Sequence, residues 1–282
     1  MDVLSDVLAV LRTGRPVSAL AGWDGAFAQE FAEVPGALGF QVVLRGSCWL
    51  LPPGGDLPVR LTAGDVVFRP RGRAHALASS PDAVPDPCAG EQARADGTEV
   101  VTLCGAYEIS TARTHPLLDG LPELVLVAPT DELRAAVGLL AAELAGPRPG
   151  TDAAVYALLD LLLLYLLRGW EGWGAALRDP VTGVALQAMH QDPARRWTVA
   201  SLAAQAGLSR APFARRFTAL VGRPPLTYLT WWRMTVAARL LRESDATVAV
   251  VARRVGYSSE FAFATAFRRE HGTAPGRYRR HP

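Results

Sequence analysis

The spacing of apolar positions changes twice along this chain. Up to residue 127, short runs rich in β-branched and aromatic residues are separated by Gly, Pro and Asp: Phe40-Gln-Val-Val-Leu-Arg-Gly46, Cys48-Trp-Leu-Leu51, Val59-Arg-Leu61, Asp65-Val-Val-Phe68, His75-Ala-Leu77 and Val100-Val-Thr-Leu-Cys104. Runs of that length and punctuation predict the strands of a β-sandwich or barrel. Between 128 and 180 the period lengthens. Glu132–Leu144 and Ala153–Trp170 read as helices divided by Gly146-Pro-Arg-Pro-Gly150. Leu158–Leu167 is apolar nearly all round, so it must be buried, either on the β-rich part or in a helix–helix dimer interface. The apolar run Ala153–Leu167 contains Asp160 and, at about 15 residues, falls short of the roughly 20 that span a bilayer.

Beyond Arg178-Asp-Pro180 the pattern repeats itself. Thr198, Val199, Ala203, Gly207 and Ser209 recur 49 residues later as Thr247, Val248, Ala252, Gly256 and Ser258. Phe213, Phe217, Gly222, Pro225 and Tyr228 recur 50 residues later as Phe263, Phe267, Gly272, Pro275 and Tyr278. Each copy reads as a Thr-capped helix with one apolar face, a Gly in the left-handed position that ends it, a Ser that caps the next helix, and a second helix with phenylalanines four apart. Two helices held by so short a turn form a helix-turn-helix, whose second helix enters the DNA major groove.

A helical wheel assigns the faces. Phe213, Phe217 and Leu220 cluster within about 60°, and Ala211, Arg215 and Thr218 project from the opposite side; with Arg210 these are the base-facing candidates of the first copy. In the second copy Phe263 and Phe267 point inward and Phe261, Thr265 and Arg268 outward. This second surface has fewer hydrogen-bonding groups, which favours apolar and backbone contacts. Pro225–Glu243 reads as one helix of roughly 27 Å, long enough to hold two recognition helices on successive major-groove segments about 34 Å apart.

Charge follows the same division. The net charge of +2 splits into −9 over residues 1–180 and +11 over residues 181–282, and every cationic residue except His is Arg. A basic third calls for an anionic partner, and arginine contacts to phosphate supply most non-specific DNA affinity. The start, MDVLSDVLAVLRTGRP, has two Asp before any basic residue and no long apolar core, so it does not read as a signal peptide. Three cysteines, an odd number, then suggest free thiols in a reducing cytoplasm.

Residues 181–282, through VARRVGYSSEFAFATAFRREHGTAPGRYR and the preceding WWRMTVAARLL, resemble the DNA-binding domain of the AraC/XylS family of bacterial transcription regulators. The resemblance places Arg215 at a usual base-contacting position, whereas Ala264 and Thr265 stand where many members carry longer polar side chains. Gly64-Asp-Val-Val-Phe-Arg-Pro70-Arg-Gly72-Arg-Ala-His75 resembles the second cupin motif. With GSCWL, Leu103-Cys104-Gly105, HPLLDGLP and LRDPVTGVALQAMHQDPARRWTVASLAAQAGLSR, the likeness extends to the cupin-containing branch of that family. It implies an all-β, jelly-roll-like cupin barrel for sensing or dimerisation over 1–127, a helical connector over 128–180 and an all-α DNA-binding domain over 181–282. The implied partners are double-stranded promoter DNA, a second copy of the chain, a small-molecule effector and, for an activator, RNA polymerase. The rival class is a metal-dependent cupin enzyme, but the stretch that should hold the first cupin motif, RGSCWLLPPGGDLPVRLTAG, contains no His. One metal set remains open: His75 with Cys88 and Cys104, and His115 as a fourth ligand, would suit zinc or another thiophilic metal. The same thiols could instead sense oxidant if their pKa values were lowered.

Overall fold

The computed structural model describes residues 2–11, 16–85, 99–108, 122–169 and 171–280. Cys88, His115 and most of HPLLDGLP lie outside them. The described residues form two compact units, one built from residues between 16 and 171, the other from residues 2–11 and 172–280.

The first unit is two antiparallel sheets face to face. One has the order β1 (Val17–Trp23), β8 (Val100–Glu108), β3 (Ala37–Arg45), β6 (Val66–Arg69), β9 (Val125–Val127); the other has the order β2 (Ala28–Phe31), β7 (His75–Ala78), β4 (Ser47–Leu51), β5 (Val59–Thr62). Trp23, Val43, Leu50, Leu61, Val67 and Leu77 meet between the sheets in one apolar core. Seven consecutive residues of β3 are buried, because its inner face lines this core and its outer face is covered too. The cover is α2 (Asp131–Ala145) and α3 (Thr151–Gly169). Tyr107 of β8 donates its hydroxyl to the Leu159 carbonyl at 2.7 Å, and Leu159, Leu162, Leu163, Leu166 and Leu167 are fully buried. The apolar run therefore packs within its own unit, and the two helices expected to form a connector are part of the β unit's fold. In the cupin-like segment, Gly72 has φ +59°, and a Cβ there would strike the Val34 carbonyl.

The second unit is all helical: α1 (Val3–Leu11), α4 (Glu171–Arg178), α5 (Pro180–Gln191), α6 (Val199–Gln205), α7 (Arg210–Val221), α8 (Pro225–Glu243), α9 (Val248–Arg254), α10 (Glu260–His271) and α11 (Pro275–Arg280). Helix α1 packs against α5 and α8, so this unit begins at the other end of the chain from the boundary at 181. A buried chain of polar groups fixes the contact. Asp6 Oδ2 lies 3.2 Å from His190 Nδ1, and His190 Nε2 lies 2.7 Å from the Tyr228 hydroxyl. Trp232 stacks on the imidazole at 3.9 Å between centroids. With the proton on Nδ1, the ring donates to the carboxylate and accepts from the phenol, which leaves no buried polar atom of the ring unpaired. No described helix is long and apolar enough to cross a membrane.

Candidate nucleic-acid interface

The two halves of the repeat fold alike, for reasons written in their punctuation. Thr198 accepts from the Ser201 N–H at 3.0 Å while Ser201 Oγ accepts from the Thr198 N–H at 2.9 Å, and Thr247 accepts from the Val250 N–H at 3.3 Å. These caps satisfy N–H groups that the first turn of a helix leaves unpaired. Both first helices end alike: the N–H of Leu208 reaches the Ala203 carbonyl and that of Tyr257 the Ala252 carbonyl, each at 2.9 Å, around Gly207 at φ +69° and Gly256 at φ +83°. This closure needs a left-handed residue and sets the turn into α7 and α10. Ser259 caps α10 through its side chain, whereas Ser209 precedes α7 without a side-chain cap.

Phe213, Phe217, Phe263 and Phe267 have no exposed surface. Val221, 2 % exposed, completes the inner face of α7 in place of the expected Leu220, which is half-buried. The opposite faces are open. Arg210, Ala211 and Arg215 are exposed on α7, and Phe261, Thr265 and Arg268 on α10. Phe261 is 82 % exposed. Thr218 differs: it is half-buried, and its hydroxyl donates to the Ala214 carbonyl at 2.7 Å, within its own helix. Arg216 is engaged as well, by Asp179, which also accepts the Thr182 N–H at 2.8 Å as the N-cap of α5. That leaves Arg210 and Arg215 as the cations on the outward face of α7.

Arg233, a lone cation inside the apolar stretch WWRMT, ties the two copies together. Its guanidinium donates to the Pro193 and Arg195 carbonyls at 2.7 and 2.8 Å and lies 6.0 Å over the Tyr257 ring. At the turn of the second copy, a Cβ on Gly256 would come within 2.6 Å of the Ala194 carbonyl and 2.9 Å of Arg233 Nη2. The loop before the first copy and the turn of the second thus share one contact across α8. Wheel reasoning assigned Arg233 no role; its signal was a charge placed where every neighbour is core.

Of the candidate metal set, Cys88 and His115 lie outside the described residues, and His75 and Cys104 each contact another protein group. His75 Nε2 lies 3.1 Å from Gln41 Oε1, and Cys104 Sγ contacts the Ala19 carbonyl at 3.5 Å. No described group of three or more His, Cys, Asp or Glu could hold a metal ion. Nor is either described thiol activated: burial pushes Cys48 up to about 12 and also raises Cys104, against smaller opposing effects of the Ala19 carbonyl contact and Arg69.

The fold and this surface define a two-domain DNA-binding transcriptional regulator. A cupin family model matches residues 2–171 and a helix-turn-helix domain model matches residues 202–281. The chain is 41 % identical over 303 residues to a putative AraC-like transcription regulator of Streptomyces lividans, covering 100 % of this chain and 99 % of that one. It is 32 % identical to the HTH-type transcriptional regulator AlkR of Acinetobacter baylyi, covering 86 % and 88 %. Among solved structures, the DNA-binding domain of AdpA in complex with a target DNA matches 36 % of this chain and 91 % of its own at 40 % identity, with a TM-score of 0.34. The chain belongs to the AraC-type transcription regulators, in the branch with an N-terminal cupin domain.

Proposed function

We propose that this regulator reads its operator with both copies of the repeat, α7 and α10 each entering one of two successive major-groove segments. The observation that carries this reading is the pair of open helix faces opposite the buried phenylalanines, set in a region of net charge +11. On α7 Arg215 has the donor fork that recognises guanine, and Arg210 lies at the helix start where phosphate contacts are made. On α10 the apolar reader is Phe261, with Thr265 and Arg268 beside it. A phenyl ring in the major groove recognises the thymine methyl group, so the second segment is read by shape and methyl contact. The protein acts in the cytoplasm as a homodimer, contacts RNA polymerase if it activates, and takes its signal in the cupin domain, which regulates and does not catalyse. The test is operator selection with the full-length protein, followed by thymine-to-uracil replacement in the selected site. Loss of affinity at one position, absent in Phe261→Ala, supports the reading; equal affinity for thymine and uracil everywhere removes Phe261 from it.

A further inference from the structure

The space between the two sheets changes character along its length. One part is the apolar core around Trp23, Val43 and Val67. In the adjoining part, register sets Arg69 opposite Gly39, Gln41 opposite both Val67 and Cys104, and Thr102 opposite Val43. Since alternate residues of a strand share a face, Arg69, Gln41, Cys104 and Thr102 point inward with the core residues Val43 and Val67. From the facing sheet His75 stacks on Phe31 at 4.8 Å and reaches Gln41, whose amide donates to Thr102 Oγ1 at 3.4 Å.

Two polar atoms in this cluster have no partner among the described residues: Arg69 Nε and His75 Nδ1. Their residues are 9 % and 4 % exposed. Arg69 uses Nη1 on the Arg73 carbonyl at 2.7 Å, and Gly39 leaves room for the rest of the group, since a Cβ there would stand 2.7 Å from Nη2. Burial pulls the guanidinium down to about 10, so it is cationic at neutral pH, and among the described residues no carboxylate offsets it; the other group acting on it is Cys104. A buried charge without a counter-ion is costly, and the Nε/Nη2 edge of arginine is the fork that takes a carboxylate through two hydrogen bonds. His75 donates Nε2–H to Gln41, which leaves Nδ1 with a lone pair that accepts a proton donor. The half-buried Cys104 and Ala106 place this part of the interior next to solvent.

We propose that this polar part of the cupin domain binds a small hydroxycarboxylate, its carboxylate on the Nε/Nη2 edge of Arg69 and its hydroxyl donating to His75 Nδ1. Phe31 and Val67 face its carbon skeleton.

The test is calorimetric titration of the full-length protein, without DNA, with sodium lactate, and with lactamide, propionate and sulfate at matched ionic strength. Lactate is expected to bind saturably, propionate more weakly for want of the hydroxyl, and lactamide and sulfate without saturation. Arg69→Met and Gly39→Ala are each expected to weaken lactate by about tenfold or more with the far-ultraviolet circular dichroism unchanged. Gly39→Ala keeps every polar group and moves only the guanidinium, so it tests the site even if Arg69→Met does not fold. No saturable lactate binding, equal binding of propionate, equal binding of sulfate, or undiminished binding in folded Gly39→Ala would each overturn the proposal. Because no DNA is present, none of these results touches the reading of the recognition helices.

Discussion

Arg215 and Phe217 stand two residues apart on α7, one exposed and one fully buried, and their loss should be felt in different measurements. Arg215→Ala is expected to leave the melting temperature near that of the parent and to cost about 1–3 kcal/mol at one base pair, with preference relaxed there. Equal weakening on all sequences would make it a phosphate contact. Phe217→Ala should cost about 3–5 kcal/mol of stability, through the cavity it leaves, whatever the DNA sequence. Two buried imidazoles add a pH limit. Burial and then Arg69 pull His75 down to about 2, and burial lowers His190 against the opposing pull of Asp6. Histidine in the unfolded chain titrates near 6.5, so below that pH the unfolded state takes up protons that the folded state refuses. Stability is therefore full above about pH 6.5 and falls as the solution is acidified. Urea midpoints should drop between pH 7 and 5.5, and His75→Gln should reduce that slope; a flat profile in the parent would contradict the burial of both rings. At this scale the phenylalanines and Arg215 were legible, because helical spacing alone decides which side faces in. Thr218 was not, since its bond to the Ala214 carbonyl depends on a rotamer that spacing does not fix.

Among the elements, the repeated helices were the most legible, their limits marked by Thr caps and closing glycines that have a local physical reason. Strands β3 to β8 were readable for the same kind of reason, as β-rich runs between turn residues. Strands β1, β2 and β9 were not: Val17–Trp23 is about half small residues, Ala28–Phe31 is short with Gln29-Glu30 at its centre, and Val125–Val127 is three residues long. Helix α1 was invisible as a part of the DNA-binding unit because what holds it is 184 positions away, at His190. Asp6→Ala should therefore destabilise the helical unit, by about 1–3 kcal/mol for the unpaired imidazole N–H, while Asp6→Asn, whose amide oxygen can still accept, should cost less. Unchanged chemical-denaturation midpoints in Asp6→Ala would show that α1 contributes nothing to that unit. Thr198→Ala, which opens the capping box of α6, is expected to cost about 1 kcal/mol by the same measurement.

For the molecule as a whole, the division between −9 and +11 marks the DNA-binding part of the chain. The domain boundaries are harder to read than that function. Helices α2 and α3 looked like a connector because their apolar surface gives no hint of what covers it, and only the Tyr107 bond and the outer face of β3 show where they belong. The central claim is that one chain reads two groove segments, and footprinting of the full-length protein on its selected operator tests it most directly. Two protected major-groove segments centred about 10 base pairs apart, with affinity falling steeply as salt rises, are the predicted result. Protection of a single segment would show that the second copy only supports the first, and binding insensitive to salt would contradict the account altogether.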